Sequence, residues 1–185
     1  MLSNLSFYII CGGFHPHYFN INFFNYLTTI INDISPENTI FITGDNFQPY
    51  DGLNIYKYIL KNKAELFKYN LTFIGFSAGV VGSIIAGNLW KKKGGKVNTL
   101  LAFDGWGVPL ISSNFPCYRI SHDYATHLIY LGGEKNAFYA FPPVPHLKLW
   151  SYPENIQGYW EITSGIKKRA NLTDFIKFCL KKDGH

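Results

Sequence analysis

Leu71-Thr72-Phe73-Ile74-Gly75-Phe76-Ser77-Ala78-Gly79 is the stretch on which the fold turns. Residues 71–74 are an apolar run of buried-strand length, and the small and apolar residues from Ala78 to Trp90 suit a helix. The join between them reads Gly-x-Ser-x-Gly. Where a strand passes sharply into a helix, that pattern lifts the serine hydroxyl above the sheet edge. Gly75 and Gly79 leave room for neighbouring backbone that a side chain would strike. Ser77 is therefore a candidate nucleophile, with a small residue in a tight turn as the plain structural alternative.

The same alternation extends on both sides. Ser6–Cys11 (SFYIIC) reads as a short buried strand, broken by Gly12-Gly13 into a loop carrying Phe14, His15, Pro16 and His17. Phe19, Phe23, Leu27, Ile30 and Ile31 then fall on one face of a helix. Thr39–Thr43 is a second strand, ending at Gly44-Asp45. Asp51 caps a helix expected to run to about Leu66, with Leu53, Tyr56, Ile59 and Leu60 inward. After Ser77, Gly79, Gly82, Ser83, Ala86 and Gly87 give the helix a face able to press on a sheet. Lys91–Lys93 offset its dipole, and Gly94 ends it.

Val97–Phe103, Cys117–Ser121 and Ala137–Phe141 are further strands, and Asn171 or Thr173 caps a last helix with Leu172, Phe175, Ile176, Cys179 and Leu180 apolar. Nearly unbroken apolar strands alternating with helices predict an α/β fold. Its form is a doubly wound, mostly parallel sheet in three layers, one domain spanning 1–185. Sites in such sheets gather beyond the carboxyl ends of the strands. Gly12 to His17, Ser77, Asp104, Asp123 and His146 all follow strand ends.

Composition narrows the partners. The net charge of +5 comes from dispersed lysines rather than a basic stripe, which argues against nucleic acid. Cys11, Cys117 and Cys179 are far apart and set in apolar runs, as reduced core thiols of a cytoplasmic protein would be. Neither a signal peptide nor an apolar span of membrane length is expected. The sequence carries no signal for oligomeric state.

The Gly-x-Ser-x-Gly turn, the glycine-rich loop after the first strand and the order Ser, Asp, His together resemble the α/β-hydrolase superfamily, particularly its small lidless members, over nearly the whole chain. Asp104–Pro109 (DGWGVP), Ser121–His127 (SHDYATH) and the segment PHLKLW around His146 are similar to those of a poorly characterised group of small hydrolase-like proteins. The resemblance implies a serine hydrolase acting on a small-molecule ester, thioester or similar acyl group, with acyl transfer as a variant and with no cofactor or metal. Ser77 would attack and His146, after the last strand and before the final helix, would take its proton. Asp123 is the first choice for the acid, and Asp104 the alternative. Ala78 and either Gly13 or Phe14 would supply the oxyanion donors. Phe14, Tyr50, Trp106 and Trp150 are candidate apolar walls, each with ordinary packing as its alternative.

Two rival readings stand beside this one. The turn is compatible with a non-catalytic binding protein that keeps the hydrolase fold. His15, His17, His122, Asp123 and His127 follow strand ends, where imidazoles and a carboxylate could serve a metal-dependent hydrolase, the less favoured alternative.

Overall fold

A computed structural model describes residues 6–44, 47–62, 64–105, 109–129 and 132–181. Six apolar segments form parallel strands: β1 (Ser6–Cys11), β2 (Thr39–Ile42), β3 (Asn70–Phe76), β4 (Lys96–Phe103), β5 (Cys117–Ser121) and β6 (Ala137–Ala140). An antiparallel hairpin, β7 (Gln157–Thr163) and β8 (Ile166–Asn171), completes one eight-stranded sheet in the order β2-β1-β3-β4-β5-β6-β7-β8. The helices are α1 (Tyr18–Ile30), α2 (Gly52–Asn62), α3 (Ala78–Lys92), α4 (Tyr124–Ile129), α5 (Lys148–Ser151) and α6 (Leu172–Lys181).

Strand alternation divides the core in two. Phe7, Ile9, Cys11, Leu71, Phe73, Leu100 and Ala102 point to the face covered by Ile55 and Ile59 of α2 and by Val80, Ile84 and Trp90 of α3. Tyr8, Ile10, Ile74, Phe76, Leu101 and Phe103 point to the face covered by Phe23 and Leu27 of α1, Trp150 of α5 and Phe175 and Ile176 of α6. The central strands are mostly apolar because neither face meets water, with Thr72 and Thr99 as buried polar exceptions. All three cysteines are buried free thiols, and burial pushes Cys11 and Cys117 up to about 12. Among the described residues, no helix is long and apolar enough to cross a membrane.

Three details differ from the sequence reading. The helix expected to reach Leu66 stops at Asn62, and a separate 3-10 turn covers Ala64–Lys68. Leu53 and Leu60 are exposed, and Ile55 joins Tyr56 and Ile59 as the buried face of α2. The hairpin β7–β8 was not anticipated, so two antiparallel strands lie between His146 and α6.

The chain leaves β1 toward β2 on one side and returns to β3 on the other. Helices α1 and α2 therefore cover opposite faces, and the carboxyl ends of β1 and β3 diverge at a topological switch point, where such sheets form a crevice.

Candidate functional site

Ser77 stands at that switch point. Its φ of 54° and ψ of −123° lie far from either regular region. Ser77 and Asp104, with φ 45°, are the only non-glycine residues at positive φ among the described residues. Each such conformation costs about 1–3 kcal/mol and persists only where its surroundings enforce it. At Ser77 they do: its amide donates to Phe103 O at 2.8 Å, and its carbonyl accepts the Val80 amide at 3.1 Å.

The glycines around the turn are sites of close approach. A Cβ on Gly79 would lie 2.2 Å from Cys11 O and 2.5 Å from Gly12 O, because the first turn of α3 rests directly on the end of β1. A Cβ on Gly13 would lie 3.0 Å from Ser77 Cβ and 3.1 Å from Phe76 O. The Gly12-Gly13 loop is thus packed against the serine turn, and Ala78, the first residue of α3, is buried behind it.

One strand along, β4 ends at Asp104, 5% exposed. Its Oδ1 accepts the His122 amide at 2.9 Å, and its Oδ2 accepts Nδ1–H of His122 at 2.9 Å and Nδ1–H of His146 at 2.8 Å. The His146 loop is tied to the end of β5 by the Val144 amide, which donates to His122 O at 3.1 Å. Burial pushes the Asp104 carboxyl up. The hydrogen bonds from the two histidines, with the His122 charge, outweigh it and hold the group below the ordinary carboxylate range. The hydrogen bond to Asp104 raises His122 against the opposing effect of its burial. A carboxylate only accepts, so both imidazoles carry a hydrogen on Nδ1 and leave Nε2 as the nitrogen that can exchange a proton.

Asp123, the first choice from sequence, does not reach His146. Its Oδ1 accepts the Thr126 amide at 2.7 Å and caps α4, while its Oδ2 lies 3.5 Å from His122 Nε2. The physical reason is local: only His122 separates β5 from Asp123, which is spent on starting a helix. The backbone turn at Asp104 carries that carboxylate beneath both rings.

The histidines of the metal reading are dispersed. His15 Nε2 donates to Asn20 Oδ1 at 3.0 Å, an oxygen that also accepts Trp150 Nε1–H at 3.1 Å. Burial lowers His15, with the Asn20 hydrogen bond opposing it. His127 Nε2 lies 2.6 Å from Glu161 Oε2, beside a separate cavity of about 760 Å³ lined also by Arg119, Tyr139 and Lys167. The set that does converge is Asp104, His122 and His146, with one ligand atom from each within 4.8 Å of the others.

Of the expected walls, Phe14 and Tyr50 are exposed and their ring centroids lie 6.1 Å apart. Trp150 is instead core, stacked on Phe23 at 4.0 Å. Trp106 lies outside the described residues. The sequence places His122 among candidate metal ligands, and its double hold on Asp104 is a finding of the structure. The one available signal was its place at the end of a strand next to the strand of Asp104.

A scan against protein-family models finds no match for the chain, and a search of curated proteins finds none either.

Proposed function

We propose that this chain is a serine hydrolase of α/β-hydrolase type that cleaves an ester, thioester or similar acyl bond through an acyl-serine intermediate. The observation that carries the reading is the 2.8 Å hydrogen bond from His146 to a buried, ionised Asp104, one strand away from a serine held in a strained turn. Asp104 fixes the tautomer in which His146 Nε2 is free to take a proton, and it stabilises the imidazolium that results. His146 is favoured over His122 as the base because its ring lies over Phe76, the residue before the serine, with centroids 4.7 Å apart. His122 turns its Nε2 to Asp123 instead.

In this mechanism Ser77 Oγ attacks the acyl carbon as its proton passes to His146 Nε2. The Ala78 amide, at the start of α3, and the amide of Gly13 or Phe14 receive the oxyanion. His146 then returns the proton to the leaving group, and water repeats the sequence to release the acid. Gly13 is suited to its part because a side chain there would crowd Ser77 Cβ and Phe76 O. Exposed Phe14 and Tyr50 flank this edge and offer apolar surface to the acyl group.

Covalent labelling by a fluorophosphonate probe tests the reading. Labelling and turnover of p-nitrophenyl acetate are expected in the parent chain, with Ser77→Ala losing the label and about a thousandfold or more in kcat/KM. Turnover that survives Ser77→Ala removes the acyl-serine step. A folded parent chain that never labels favours a binding protein on the same fold.

A further inference from the structure

We propose that Asp104, His122 and His146 form a binding site for a divalent transition-metal ion of the zinc class, and that filling it switches off the serine chemistry. The switch, though not the site, rests on the function proposed above. Two imidazoles and a carboxylate, with a fourth position left open, are a donor set that suits zinc. One ligand atom from each residue already lies within 4.8 Å of the others. The two Nδ1 nitrogens stand 2.8 and 2.9 Å from the shared Asp104 Oδ2. Tetrahedral ligands at zinc bond lengths sit about 3.3 Å apart, so Oδ2 needs to move about half an ångström from each nitrogen.

The groups around these three are placed as metal sites require. Asp104 Oδ1 is held by the His122 amide, which fixes the carboxylate. Asp123 Oδ2 lies 3.5 Å from His122 Nε2, where it would accept the N–H formed when Nδ1 takes the metal. The His146 side chain is 41% exposed, so an ion has a route in. On binding, each Nδ1 gives its hydrogen's place to the metal, Nε2 carries the ring's remaining hydrogen, and any second proton on an imidazole passes to water. His146 Nε2 would then be a donor. It could no longer accept the Ser77 proton, and Asp104 would be taken from its role as partner.

The experiment titrates the chelator-treated full chain with ZnCl2 by calorimetry, and with CoCl2 by visible absorption, while following p-nitrophenyl acetate turnover. Expected are one equivalent of bound metal and turnover lost in proportion to occupancy and restored by EDTA. Affinity should fall at least tenfold in His122→Gln and about tenfold in Asp123→Asn. Absence of saturable binding, or binding that neither substitution weakens, overturns the site. Zinc that binds here and leaves turnover intact overturns the switch. Zinc-dependent turnover that persists in Ser77→Ala overturns both the switch and the serine mechanism. Zinc bound through His122 in a chain that neither labels nor turns over supports the site and refutes the serine mechanism alone.

Discussion

An aspartate at φ 45° whose side chain is almost wholly buried would be costly if it stood alone. Here three donors, the His122 amide and two Nδ1–H groups, meet its two oxygens. Replacing it with asparagine keeps the shape but turns an N–H toward imidazoles that need an acceptor, so His146 is driven to the opposite tautomer. Asp104→Asn is therefore expected to cut kcat/KM by about 10³–10⁴-fold. Asp123→Asn, which keeps an oxygen to cap α4 and leaves the His146–Asp104 pair untouched, should remain within about tenfold of the parent in metal-free buffer. The reverse ranking would return the acid to Asp123. The ambiguity had a physical cause: both residues follow strands, and strand ends can be read from apolar runs. What separates them is a backbone turn at a non-glycine residue, which composition and periodicity do not register.

Between elements, the close approach of α3 to β1 sets the site. Gly79 is the contact point, and its virtual Cβ lies 2.2 Å from the Cys11 carbonyl oxygen. Adding a methyl group must push the first turn of α3 away from β1, separating Ala78 from the Gly13 loop. Gly79→Ala is expected to lower the unfolding free energy in urea by about 1–3 kcal/mol while far-ultraviolet dichroism is retained. An unchanged midpoint would mean that the helix is not seated on β1. This feature was legible, since the Gly-x-Ser-x-Gly pattern and the small-residue face of α3 both imply it. The β7–β8 hairpin was not. Ile166–Asn171 carries Lys167, Lys168 and Arg169 in succession and shows no apolar alternation. Its backbone ladder with β7 is joined by cations lying over rings of that strand, Lys168 Nζ 4.1 Å from the Trp160 ring centre and Arg169 Cζ 4.9 Å from that of Tyr159. Cross-strand pairs of this kind stabilise a sheet without leaving a hydrophobic period. Such charges also suit an edge strand, which must not pair with other chains.

Across the whole molecule, the acid response is a balance of opposite signs, since burial sets His15 and His127 against protonation while Asp104 draws a proton to His122. Burial lowers His127, aided by Arg119 and Lys167 and opposed by Glu161. Burial also lowers His15, aided by His146 and His17 and opposed by Asn20. In the unfolded chain both titrate near the ordinary value of about 6.5. Above that value neither state binds the extra proton, so these residues give stability no dependence on pH. As pH falls below it, the unfolded chain takes up protons that the folded chain refuses, and stability drops until the folded values are reached. The unfolded carboxylates titrate near 4, so the interval from pH 6.5 to pH 5 isolates the histidine contribution. In His122→Gln, which removes the opposing contribution, the urea midpoint is expected to fall steadily across this interval, and the fall should be shallower once His127→Gln is added. A midpoint that stays level or rises toward pH 5 in His122→Gln would mean that His15 and His127 accept protons in the folded state, with His127 then forming a charged pair with Glu161 of β7.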